Sequence, residues 1–152
     1  MSEKNDTQTS TRSKLKEMYS KLPLVYACSG CSSAAQLANL LAIRLDRERL
    51  AEMSCIAGVG GDVRSLLKTA QSRRKILVLD GCPLHCAKHC LDRHGISPTV
   101  HIDLSMAGIK KRFHEEATSE EIRHVWHDLV YPAADRLRGY AAPASRSNHQ
   151  AE

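Results

Sequence analysis

The sequence predicts a three-layer α/β domain, Rossmann-like or flavodoxin-like, with a mostly parallel four-stranded sheet and a C-terminal helix. Three observations carry that expectation. Short aliphatic runs stop at turns bearing cysteine or glycine, stretches with helical apolar spacing follow them, and the order reads βαβαβαβ and then α. Such alternation calls for a parallel sheet with helices packed on its faces. The 152 residues suit a single domain, placed at 22–139 between polar tails at 1–21 and 140–152.

Residues 1–20 lack an apolar period and read as a tail with a helical turn near Lys14–Ser20. Leu22-Pro-Leu-Val-Tyr-Ala27 is the first expected strand, with Pro23 tolerated at its start. Ser33 and Gln36 form the pattern of a capping box. Leu37, Leu40, Leu41 and Leu45 then mark one face of a helix that ends at Arg47–Arg49. The second strand is expected over Ala51–Ala57, with Cys55 inside it. Asp62 is the expected N-cap of a helix carrying Val63, Leu66, Leu67 and Ala70 on one side. Ile76–Leu79 is a continuous apolar run halted by Asp80-Gly81-Cys82-Pro83, as a buried parallel strand would be. Pro83 suits the first position of a helix, where a missing N–H costs nothing, and Gly95 suits its C-terminal end. Val100, Ile102 and Leu104 alternate over 99–104, the pattern of an edge strand with one wet face. Residues 106–116 read as an ordered loop, and Thr118 with Glu121 opens a last helix that Pro132 should kink.

Only six residues are aromatic, so the core must be aliphatic. The formal charge is +5, but the two tails carry +4 of it and the body is close to neutral. A concentrated basic face, which nucleic-acid binding needs, is therefore not expected. No stretch approaches the roughly 18–20 apolar residues of a membrane span, and the polar N-terminus does not read as a secretory signal. The expectation is a cytoplasmic protein without membrane or nucleic-acid partners, with a homodimer left open. Six cysteines in that compartment point to metal or redox chemistry rather than to structural disulfides.

The cysteines are not scattered. Cys28, Cys55 and Cys82 lie 27 residues apart each time, each near the carboxyl end of an expected strand. In an open parallel sheet those ends share one edge, where ligands bind. A closed tetrahedral zinc site needs a fourth ligand. If one helix runs from Pro83, then Cys82, His85, Cys86, His89 and Cys90 share a face of it. Cys82 and Cys90 would be about 12 Å apart along its axis, too far to share an ion with zinc–sulfur bonds of about 2.3 Å. Cys82 and Cys86 would be one turn apart. Cys86 is therefore the expected fourth ligand, with Cys31 of the Cys28-Ser-Gly-Cys31 pair as its main competitor and His85 and His89 as weaker ones. Helix N-termini favour anionic thiolates and ease their deprotonation. The Gly58–Gly61 loop lacks the rest of a phosphate-binding fingerprint.

Cys28-Ser-Gly, Cys55-Ile-Ala-Gly-Val-Gly, Asp80-Gly-Cys82-Pro-Leu-His-Cys86 and the Gly108-Ile-Lys-Lys segment resemble the DGC-domain family over about residues 24–113. That resemblance implies a zinc-binding protein whose chelators fall on Cys28, Cys55, Cys82 and Cys86. Cys31 and Cys90 are extra to the pattern. Three alternatives stand beside the four-cysteine zinc site. One is thiol redox or sulfur-transfer chemistry at Cys28 or Cys31, and another an iron–sulfur cluster on the same cysteines. The last is a catalytic zinc with one exchangeable position.

Overall fold

A computed structural model of the chain describes residues 3–139, with side chains from Ser10 onward. Its centre is a four-stranded, wholly parallel sheet in the order β2-β1-β3-β4. The strands are β1 (Leu24–Ala27), β2 (Glu52–Met53), β3 (Ile76–Asp80) and β4 (Val100–Asp103). All four residues of β1 and all five of β3 are buried. Successive side chains point to opposite faces, so both faces of these central strands are covered. Every residue of β4 is half-buried, as an edge strand's should be. The three-layer α/β expectation holds.

The helices are α1 (Glu3–Ser20), α2 (Ser33–Arg47), α3 (Ile56–Gly60), α4 (Arg64–Ala70), α5 (Cys86–Asp92), α6 (Ser119–Val125) and α7 (Tyr131–Gly139). Leu37, Ala38, Leu41, Ala42 and Leu45 bury one face of α2. With Leu24, Leu77, Leu79, Leu91 and Leu104 they form an aliphatic core. Residues 126–130 are π-helical and lead directly to Pro132. Proline has no N–H and its ring crowds the carbonyl four residues back, so the expected kink takes the form of a widened turn.

Several boundaries differ from the sequence reading, each for a local reason. The N-terminal stretch is an 18-residue helix rather than a tail with one turn. From Ser10 onward it exposes everything except Met18 and Tyr19, and the Tyr19 hydroxyl donates to the Asp46 carbonyl at 2.8 Å. A helix polar all round has no core-facing period to detect. The tail expected at 140–152 lies outside the described residues. The cap of α2 is Ser32, one residue before the expected Ser33, and its hydroxyl accepts from the Ala35 N–H. Asp62 does not cap α4; it sits at φ 61°, and Val63 is the N-cap.

Two further differences bear on the cysteines. Strand β2 is only two residues long, so Cys55 is not inside it but is the N-cap of α3. Pro83 does not open α5 either. It lies in a turn closed by the His85 N–H donating to the Cys82 carbonyl at 3.1 Å, and α5 begins at Cys86.

Candidate functional site

Parallel pairing builds the site's floor. Leu24–Ala27 pairs residue by residue with Ile76–Leu79, and Leu24-Val25 pairs with Glu52-Met53 on the other side. Cys28 thus leaves the middle strand, with Cys55 beyond the end of one neighbour and Cys82 beyond the end of the other. Adjacent strands lie about 4.8 Å apart, so topology alone gathers three residues far apart in sequence. The order reverses between β1 and β3, the crevice where open α/β sheets place ligands.

Cys28 is buried, and its Sγ accepts the Gly81 N–H at 3.1 Å. Burial first, and then the charges of Asp80, Cys82 and Cys86, push the thiol up to about 12 against the Gly81 hydrogen bond. The Cys82 and Cys86 thiols are therefore near enough for their charges to be felt at Cys28. Cys82 is half-buried, and Cys31, Cys55 and Cys86 are exposed. All six cysteines are free thiols.

Gly81 is fixed by packing. A Cβ there would stand 2.5 Å from the backbone C and O of Ala34, at the start of α2. Only glycine lets β3 pass so close to that helix while its N–H faces the Cys28 sulfur.

Asp80 is the hinge of the arrangement. Its carboxylate is 1 % exposed and accepts three hydrogen bonds: from the Ala87 N–H at 2.9 Å, the Lys88 N–H at 3.1 Å and His101 Nε2 at 3.0 Å. The N-cap of α5 is His85, in the left-handed region (φ 49°, ψ 43°), and its side chain makes no cap bond. Asp80 supplies the cap from the end of β3 instead, satisfying two N–H groups that the helix leaves open. The same bonds fix Cys86, the residue just before Ala87, above the strand ends. Sequence reading placed Asp80 beside the cysteines without identifying its partners, because the His101 contact spans 21 residues.

Of the four expected ligands, Cys82 and Cys86 lie near enough to Cys28 for their charges to act on it, and Cys55 follows β2, on the other side of β1. Nearby in β1, the buried Tyr26 hydroxyl has no hydrogen-bond partner of good geometry among the described residues, although Ser54 lies close to it. Burial raises the Tyr26 phenol, and the Cys55 charge adds to that. The donor chemistry, four soft thiols, fits a zinc or iron–sulfur group. The side-chain positions are less complete: among the described residues, no three Cys, His, Asp or Glu side chains stand together as a metal cage. Closing a four-thiolate site requires the exposed thiols of Cys55 and Cys86 to turn inward.

The other candidates fall elsewhere. Cys90 packs against α3, where a Cβ on Gly60 would lie 2.9 Å from its sulfur, and burial raises its thiol, with the Cys86 charge adding to the rise. Its exclusion rested on a helix starting at Pro83; with Cys82 outside α5, that axial distance no longer applies. Cys31 is exposed beyond Cys28. His89 faces solvent with Asp92 at 3.9 Å. His85 turns away from the thiols, its Nε2 pairing with Asp103 at 2.8 Å.

The DGC domain family model matches residues 24–129, covering β1 through the π-helical segment. The chain belongs to the DGC-domain family. It is also 62 % identical, over 108 residues, to the "Anaerobic and virulence modulator AnvM" of Pseudomonas aeruginosa. That alignment covers 71 % of this chain and 82 % of the relative. No solved structure matches the chain. Among the described residues, no helix is long and apolar enough to cross a membrane.

Proposed function

We propose that this DGC-domain protein binds one zinc ion through the thiolates of Cys28, Cys55, Cys82 and Cys86. The observation that carries the reading is the order β2-β1-β3, which sets Cys55, Cys28 and Cys82 at neighbouring strand ends, while Asp80 holds the start of α5 and Cys86 beside them. Bound there, zinc would tie the ends of β1, β2 and β3 to the first turn of α5. The Gly81 N–H stays on the Cys28 sulfur as an outer hydrogen bond. Because Cys28 is held as a neutral thiol up to about 12, uptake must displace its proton, and affinity rises with pH.

The alternative of Cys28 as a redox nucleophile is disfavoured by the same burial, since reactive cysteines are exposed and shifted down. Cys31, which is exposed, is the better candidate for that chemistry. The relative's name extends the reading to biology: we infer that this chain is also a modulator, with a thiolate site suited to anaerobic conditions because thiolates surrender metal when oxidised.

Metal analysis of anaerobically purified protein tests the reading, with Cys28→Ser and Cys86→Ser alongside. The expected result is about one zinc per wild-type chain with four sulfurs at about 2.3 Å by X-ray absorption, and loss of at least half of it in each variant. Iron with visible absorbance would shift the assignment to a cluster. Wild-type protein carrying neither metal, with freely titrating thiols, would overturn both.

A further inference from the structure

A second site lies on the other side of Asp80 and uses none of the cysteines. A cavity of about 430 Å³ opens beside β4, lined by His85, His101, Ile102, Asp103, Met106, Ala107 and Leu129. Its volume is in the range of small-molecule sites. It occupies the carboxyl-end edge of the sheet, and its far wall, Leu129, comes from the π-helical turn, a feature frequent at functional sites.

The two imidazoles define its chemistry. Their rings meet edge to face, with centroids 4.8 Å apart. Asp80 already accepts two backbone N–H bonds, and Asp103 accepts the N–H of Ser105 at 2.9 Å and its hydroxyl at 2.6 Å. Burial works to raise the Asp103 carboxyl, but the bonds from Ser105 and His85 outweigh it and hold the group low. Both carboxylates thus already act as acceptors toward N–H and O–H groups, and each histidine is placed to offer its Nε2–H to them. Each Nδ1 is left as a lone pair, and neither has a protein partner among the described residues. Neither ring is sealed: the side chains of His85 and His101 are 33 % and 20 % exposed. Carboxylate-held histidines with one open ring nitrogen are oriented for a ligand. The left-handed backbone of His85 is a further sign, since such strain gathers at functional positions.

The charge of the cavity decides what fits. Two carboxylates stand behind the rings, and no Lys or Arg is among the residues lining it. An anion would meet negative charge with no cation to offset it. We propose that this cavity binds a small molecule with a compact apolar body and a hydrogen-bond-donating head, a hydroxyl or an amine, that carries no negative charge. The head donates to the open Nδ1 lone pairs, a hydroxyl to one of them and an amine to both, and the body lies against Ile102, Ala107 and Leu129. The proposal stands independently of the zinc reading.

Three probes with one body and different heads test it: benzyl alcohol, benzylamine and benzoate, titrated into the full chain while the histidine ring nitrogens are followed by nitrogen NMR. Saturable shifts of at least one Nδ1 signal with the alcohol and of both with the amine, and none with benzoate, are expected. Ala107→Leu, which takes up cavity space and leaves both histidines in the chain, should weaken both ligands at least tenfold. Benzoate binding as tightly as the amine, no saturable shift with any probe, or full affinity in Ala107→Leu would each overturn the proposal.

Discussion

The carboxyl edge of the sheet has two halves, divided by Asp80, and they are finished to different degrees. On the imidazole side each ring is already locked by a carboxylate, with one nitrogen left open. On the thiol side the central sulfur is buried and protonated, while Cys55 and Cys86 still face solvent. On the two proposals, the difference follows from the ligand each half would take. A neutral imidazole is a ready acceptor and needs only orientation. A thiol must lose its proton before it binds a metal, and four thiolates left close together without a cation would repel one another. A thiolate site is therefore reasonably completed by its ion rather than before it.

Removing the divider should have the largest effect. Asp80→Ala strands two amides of α5 and one imidazole, each lost acceptor costing about 1–3 kcal/mol. We expect a loss of about 4 kcal/mol in urea unfolding, reduced by relaxation of the α5 start. Both halves should fail together, with zinc uptake falling and the His101 ring signal moving. His101→Phe should move only the imidazole half; a fall in zinc content as large as that of Asp80→Ala would show that the halves are not separable.

Alkylation sharpens the thiol side alone. A thiol pushed from the ordinary 9.0 to about 12 carries roughly a thousandfold less thiolate at neutral pH. Cys28 should be the last cysteine modified by iodoacetamide under native conditions, and Cys31, Cys55 and Cys86 the first, as peptide mass mapping over time would show. Early labelling of Cys28 would mean that its pocket opens readily.

The smallest effect expected lies away from both halves. Arg112 grips Glu121 with two bonds of 2.8 Å and, against burial and with help from the capping box of Thr118, holds its carboxyl at about 2. A depressed carboxylate contributes stability that is complete above its unfolded value near 4.5 and is lost as pH falls toward 2. Acid unfolding should therefore loosen α6 over that window, and Arg112→Met should flatten this part of the profile without altering zinc content or the His101 signal. A change in either would tie this helix to the sheet edge.

The class of fold and the strand-end placement of three thiols were legible in the chain alone. Apolar runs stopped by Cys or Gly, repeated every 27 residues, place Cys28, Cys55 and Cys82 at successive strand ends whatever the side-chain details. The Thr118–Glu121 box was legible too, because a cap is a local pattern. Residues 81–86 were not, since Pro83 is equally at home in a helix's first turn and in the turn that precedes it. Packing between strands and helix set the rest: Asp80 caps α5, Cys86 follows a left-handed His85, and His101 meets both Asp80 and His85. Those contacts depend on β3 and β4 lying side by side in the register Asp80 to Asp103. Pairing between strands leaves no period in the chain, so a histidine on an edge strand carries no signal until its neighbour is in place.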